Sequence, residues 1–379
     1  MSAPSDFAVL QVLPRLETGG VEQVVVELTE AVARTGARAL VASAPGRLVA
    51  AVERAGGRHV PLALESRNPL RLSWNARLLS RLIREHGVSL VHAHSRGPAF
   101  SARAAARRTR TPFVTTYHGA YSESLPVKRA YNAVMASGDR VIAVSEFIGN
   151  LVRARHQTGP ERLRVVPGGV NTALFDSDSV NDYRVINLAQ AWHLPDGAPT
   201  IMLPARLTGW KGQRVLIEAM ARMKRQDAVA ILLGSGQGRD SYLRELRALA
   251  ATHGVGERLF FGGDCADMPA ALKLADVVVN ASTDPEAFGR TIVEAQAMRR
   301  LTIATDHGAA CETIIDGETG WRTPPGDPKA LAAALDAALD LPMTAKLAIG
   351  AVARRHVAAH YSVAAMQAGN LAVYGELLG

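Results

Sequence analysis

A chain of 379 residues exceeds what one ordinary core serves and suits two domains of roughly 150–200 residues each. With 48% apolar and 21% charged residues, it has a globular composition, which excludes disordered and fibrous classes. The charge is unevenly placed: residues 1–175 hold 23 Lys+Arg against 12 Asp+Glu, net +11, and the remainder 20 against 23, net −3. A basic first half suits nucleic acid, an anionic membrane or an anionic substrate, with a solvated arginine-rich surface as the plain alternative. In chain order, FAVLQVLP (7–14) is a continuous apolar run closed by Pro14, which predicts a strand buried on both faces. After the loop RLETGG, residues 21–35 carry apolar positions at helical spacing. ALVASA, VSLVHAH, PFVTTYH and DRVIAVS repeat the strand signature, with helices such as AFSARAAARRT between them. An irregular stretch follows from about Val170 to Pro199, and the alternation restarts at Thr200 with TIMLPARL, AVAILLGSG, RLFFGG, DVVVNAS and LTIATD. Strands alternating with helices predict βαβ units and parallel sheets. The fold class expected is α/β, two doubly wound Rossmann-like domains facing across a cleft.

In open parallel sheets, ligands gather beyond the carboxyl ends of the strands, where helix N-termini attract anions. The loops after the strands are thus the first places to search. TIMLPARL exits at Arg206, and Lys211 follows before a helix near Gln213. One fork and one point charge beside a helix start suit a diphosphate, although alone they would read as solvated loop cations. DVVVNAS runs into TDPEAFG and a helix beginning RTIVEAQAM. This puts Glu286 on the loop and Glu294 in the second helical turn. A helix carboxylate can accept two hydrogen bonds from vicinal ribose hydroxyls, and Gly289 allows close backbone approach. The plain alternative is a surface carboxylate at Glu294 and a dipole-stabilising one at Glu286.

These residues lie in strings that resemble a known family. PARLTGWKG, LLGSGQGR, ASTDPEAFGRTIVEAQAM and ETGWRTPPGDPKAL look like the nucleotide-sugar half of the family 4 retaining glycosyltransferases, which have the GT-B fold. TGGVE, YHG around His118, VSEF and VVPGGVN in the first half are similar too, in the family's order and over nearly the whole chain. In overall wording the chain most resembles enzymes that build the lipopolysaccharide core. The pattern departs from the family at Gly168, Asn171 and Ala205, where Asn, Asp and Gly are usual.

The resemblance implies catalytic roles for His118, Arg206, Lys211 and Glu286, with the two cations on the donor diphosphate and His118 near the anomeric centre. It implies donor contacts from Gly19, Gly20, Gly234, Ala287, Phe288, Gly289 and Glu294. Residues 1–172 would form the acceptor-binding domain and 173–360 the nucleotide-sugar domain, with 361–379 a helix packing back on the first. The expected reaction moves mannose or glucose from GDP-mannose or UDP-glucose to a lipopolysaccharide-core or other lipid-linked acceptor, with no metal and no cofactor. A nucleotide-sugar epimerase and a non-catalytic sugar-nucleotide binder on the same fold are the alternatives.

Other signals are set aside. Asp176-Ser-Asp178 resembles a metal-binding DxD but lies in the irregular stretch, where solvated loop acids are expected. His92 and His94 alternate along a strand end, and opposite-facing side chains are expected there. Gly234-Ser-Gly-Gln-Gly238 falls short of GxGxxG because Arg239 takes the last position. Nucleic acid is not an expected partner, since only 5% of residues are aromatic and no basic-aromatic ladder occurs. Cys265 and Cys311 cannot make a disulfide framework, the opening residues lack a signal-peptide pattern, and no apolar run reaches the ~18 residues of a membrane span. A cytoplasmic protein is expected, held peripherally at the inner membrane face by its basic half, with Arg103, Arg107, Arg108 and Arg110 as the candidate surface.

Overall fold

The apolar runs become two parallel sheets in the computed structural model, which describes residues 7–379 except 18, 67, 237 and 239. Arg239, and with it the broken GxGxxG, lies outside the described residues. By internal packing the chain divides into two units, Met1–Gly168 with Val363–Gly379, and Gly169–Ser362.

In the first unit the strands are β1 (Ala8–Arg15), β2 (Arg38–Ala44), β3 (Arg58–Pro61), β4 (Leu90–Ala93), β5 (Phe113–Tyr117), β6 (Arg140–Ala143) and β7 (Leu163–Val165). Their order in the sheet is β3-β2-β1-β4-β5-β6-β7, all parallel. The helix Val363–Leu378 belongs to this unit. Its Met366, Val373 and Tyr374 pack with Phe7, Val9 and Leu90, and Gln367 Nε2 donates to the Glu27 carbonyl at 2.7 Å.

The second unit holds β8 (Thr200–Pro204), β9 (Val229–Leu233), β10 (Leu259–Gly263), β11 (Val277–Asn280), β12 (Leu301–Thr305) and β13 (Trp321–Thr323), ordered β10-β9-β8-β11-β12-β13. Period-two alternation explains why its strands are apolar throughout. Ile201, Leu203, Ala230, Leu232, Val277 and Val279 enter the core on one face. Met202, Ile231, Leu233 and Val278 enter the core on the other. Both orders reverse direction once, between β1 and β4 and between β8 and β11. At such a switch point the flanking connections leave on opposite sides and open a crevice at the carboxyl ends.

Candidate active site

The β8/β11 switch point gathers most of the residues singled out in the second half. Past β8, the Leu207 amide donates to the Ser235 carbonyl at 3.1 Å, and Gln213 Nε2 donates to the Arg206 carbonyl at 2.9 Å. These bonds fix the loop while its Arg206 side chain stands exposed, its guanidinium unpartnered among the described residues. A short turn, Gly209–Lys211, leads to Gly212 at φ +75°. A Cβ there would collide with the Ala281 carbonyl just beyond β11, so only glycine lets the Lys211 loop close on that strand end. Gly234, at φ +141°, is glycine for a similar reason: the Ala205 carbonyl occupies the space of a Cβ.

That closure brings Lys211 Nζ into an ion pair with Glu286 Oε1. The same oxygen accepts from Ser282 Oγ at 2.7 Å and from Asn280 Nδ2 at 3.4 Å. Lys211 Nζ also lies 4.2 Å from the centre of the Trp210 ring, a cation–π contact. The Trp210 carbonyl in turn accepts the Thr283 amide at 2.7 Å. Beneath Glu286, Gly308 at φ +61° leaves no room for a Cβ against the Glu286 backbone. The Ala309 amide donates to the Glu286 carbonyl at 3.0 Å. One carboxylate oxygen is thus pinned from three sides, and Oε2 hydrogen-bonds to none of the described residues.

The helix Arg290–Ala297 starts at Gly289, whose φ of +75° makes a cap without a side chain. Glu294 is buried and accepts from Arg290 Nε at 3.0 Å. Ala287 and Phe288 are half-buried on the intervening loop, and the Phe288 ring packs 5.9 Å from that of Tyr361.

In the first unit, β1 is followed by Gly19 and Gly20, both exposed, at the uncapped start of the helix Gly20–Arg34. His118 follows β5. Its Nε2 lies 3.1 Å from His94 Nδ1, and His94 Nε2 lies 3.1 Å from Gln11 Oε1. His92 makes a separate pair of bonds, Nδ1 to the Tyr374 hydroxyl and Nε2 to Thr116 Oγ1, each 2.7 Å. Burial holds His118 down to about 4 and His92 to about 3, and it holds His94 well below the ordinary histidine value. The expectation that His92 and His94 face opposite ways is corrected. Residues two apart on a strand share a face, and the two ring centres are 4.0 Å apart.

Asp176 and Asp178 are loop acids in ion pairs, with the Asp178 side chain 68% exposed. Asp178 pairs with Arg299 at 2.8 Å and Asp176 with Arg354 at 3.0 Å, tying the irregular stretch to its own unit. Arg299 holds the Asp178 carboxyl below its usual range. No group of three or more His, Cys, Asp or Glu suited to a metal ion occurs among the described residues, and no described helix is long and apolar enough to cross a membrane.

Sequence reasoning passed over Gln11, Asn280, Ser282 and Gly308. Gln11 carried a signal, being the one polar side chain inside the run FAVLQVLP. Asn280 and Ser282 act through the turn that carries Glu286 back over the end of β11, and Gly308 only once β11 and β12 lie side by side.

Comparison with known proteins places the chain in a family. Residues 18–174 match the model described as Glycosyltransferase Family 4, and residues 186–355 match Glycosyl transferases group 1. A solved glycosyltransferase from Rickettsia africae is 32% identical, with a TM-score of 0.91 over 98% of this chain and 99% of that one. The GDP-mannose-dependent alpha-(1-6)-phosphatidylinositol monomannoside mannosyltransferase of Mycolicibacterium smegmatis is 31% identical over 262 residues, which is 64% of this chain and 65% of that protein's length. HepE of Anabaena, solved with UDP-glucose, is 24% identical with a TM-score of 0.84, over 97% of this chain and 99% of that one, and shares the fold. The chain belongs to glycosyltransferase family 4, with the two-domain GT-B fold, and is a glycosyltransferase.

Proposed function

We propose that this glycosyltransferase moves mannose or glucose from a nucleotide-sugar to a lipid-linked acceptor of the lipopolysaccharide-core class, with retention at the anomeric carbon. The observation that carries the donor reading is Glu286. Its Oε1 is saturated by Lys211, Ser282 and Asn280, which leaves Oε2 to accept from a sugar hydroxyl. Arg206 and Lys211 would take the diphosphate, Glu294 the ribose, and the backbone of Ala287, Phe288 and Gly289 the transferred sugar. Gly234 lies beside the base in this reading, Gly19 and Gly20 offer amides to the distal phosphate, and His118 contacts the sugar.

Departure of the diphosphate builds negative charge on it and positive charge on the sugar. Fixed cations and amides stabilise the former without reorganising, and one such donor is worth about 10²–10³ in rate. In this reading Arg206 and Lys211 supply that charge and no divalent ion is required. Double displacement would require a carboxylate free to attack. In this reading Glu286 Oε2 already accepts from a hydroxyl of the transferred sugar, so front-face attack assisted by the leaving phosphate is the mechanism proposed. Relatives favour both donors: one is GDP-mannose-dependent, another was solved with UDP-glucose. The excess of +11 in residues 1–175 favours an anionic glycolipid acceptor and peripheral attachment to an anionic inner leaflet.

Incubation with GDP-mannose or UDP-glucose and a lipid-linked acceptor, followed by NMR of the product, tests the reading. An α-product from an α-donor is expected, and an inverted product contradicts retention. Conversion of the donor with no acceptor present would mark an epimerase.

A further inference from the structure

We propose that Gln11 and His94 are positioning residues that lock His118 as the Nε2–H tautomer, so that its Nδ1 presents a lone pair to a hydroxyl of the transferred sugar. This rests on the assignment of His118 to the sugar. The polarity of the chain follows step by step from hydrogen-bond bookkeeping. Thr29 Oγ1 spends its proton on the Val25 carbonyl at 2.7 Å, so it can only accept from Gln11. The Gln11 amide nitrogen is 2.9 Å from that hydroxyl and 3.2 Å from the Val25 carbonyl oxygen. Both are acceptors, which fixes the amide's orientation, because a flip would set Oε1 against two lone pairs. Gln11 Oε1 then faces His94 Nε2, which must carry a proton.

His94 is 1% exposed and Gln11 is 1% exposed, with no carboxylate in the chain of contacts to offset a charge, so His94 stays neutral. A neutral ring with its proton on Nε2 has a lone pair on Nδ1. His118 Nε2, 3.1 Å away, must therefore donate, and the His118 proton is committed inward. No described residue hydrogen-bonds to His118 Nδ1, and His118 alone of the three rings is partly open to solvent. The partly open ring thus meets a ligand as an acceptor, never as an acid. His92, bonded to Tyr374 and Thr116, packs against His94 and takes no part in this ordering.

The test uses the full-length protein labelled with ¹⁵N-histidine, with His118 assigned through His118→Asn and read by long-range ¹H–¹⁵N NMR at pH 7. The wild type is expected to show His118 as the Nε2–H tautomer, and the Nδ1–H form there overturns the proposal without recourse to any variant. Gln11→Met removes the acceptor and is expected to give a mixture of His118 tautomers, with kcat reduced about tenfold, the worth of one hydrogen bond. An unchanged tautomer and unchanged kcat in folded Gln11→Met also overturn it. Thr29→Val, a milder change to the same chain, serves if Gln11→Met fails to fold, with the same direction expected. Should His118→Asn retain full transfer, the assignment of His118 to the sugar fails while the tautomer result still stands or falls on its own spectrum.

Discussion

Lys211 and Glu286 neutralise each other, and this sets what single substitutions do. Both side chains are largely buried, at 16% and 15% exposure, so removing one partner strands a charge that water screens poorly. Glu286→Gln keeps the shape but gives up the ion pair. Transfer is expected to fall by 10²-fold or more, with a stability loss of about 1–3 kcal/mol in urea titration. Full transfer by that variant would remove Glu286 from the sugar site. The buried histidines give a second expectation. His92 and His94 bind protons far less readily folded than unfolded, where the ordinary value is 6.5. The unfolded chain therefore takes up more protons below that value. Stability is fully present above about pH 6.5 and declines as pH falls toward the folded values, by up to about 1.4 kcal/mol per pH unit for each ring. Urea midpoints at pH 7.5, 6 and 5 should fall in that order, and a flat series contradicts the neutral buried state.

At the scale of elements, the strands found in the sequence are the interior ones and one edge strand, β10, whose LFFGG is apolar enough to read as a strand. β1, β2, β4, β5 and β6, and β8, β9, β11 and β12, lie inside their sheets and read as apolar runs. β3 (RHVP), β7 (LRV) and β13 (WRT) were missed because they are short edge strands, partly exposed, that mix charged and apolar residues. The candidate site was legible where a residue type announces a charge, as at Arg206, Lys211, Glu286 and Glu294. It was not legible where a residue matters through a neighbour distant in the chain, as Gly308 does through Glu286, nor where a loop folds back on itself, as it does to bring Ser282 to Glu286. The opposite-face expectation for His92 and His94 misapplied the strand period and was no ambiguity of the sequence. Gly212 exemplifies a loop shaped by a strand from elsewhere. Gly212→Ala should lower stability by about 1–3 kcal/mol from its φ alone. It should also weaken transfer by displacing Lys211, both read by thermal unfolding and a donor-turnover assay. An unchanged Tm would mean the loop is not held against β11.

For the molecule as a whole, the uneven charge and the cation pair make separable claims. Excess EDTA should leave transfer unchanged if Arg206 and Lys211 carry the diphosphate charge, whereas loss restored by Mg²⁺ or Mn²⁺ contradicts a metal-independent reaction. Co-sedimentation with liposomes should require anionic lipid and weaken with salt, since exposed cations act over about a Debye length. Binding indifferent to both would end the membrane proposal. The most direct test of the central claim, that the second unit holds a nucleotide-sugar at the β8/β11 switch point, is thermal unfolding with GDP or UDP in the wild type and in Arg206→Ala. Arg206 is unpartnered among the described residues, so its removal breaks no internal ion pair. Stabilisation of the wild type by one nucleotide is expected, about 2.7 kcal/mol at 100 times its Kd, with a much smaller gain in the variant. Equal stabilisation of both proteins, or of neither by any nucleoside diphosphate, would contradict that claim.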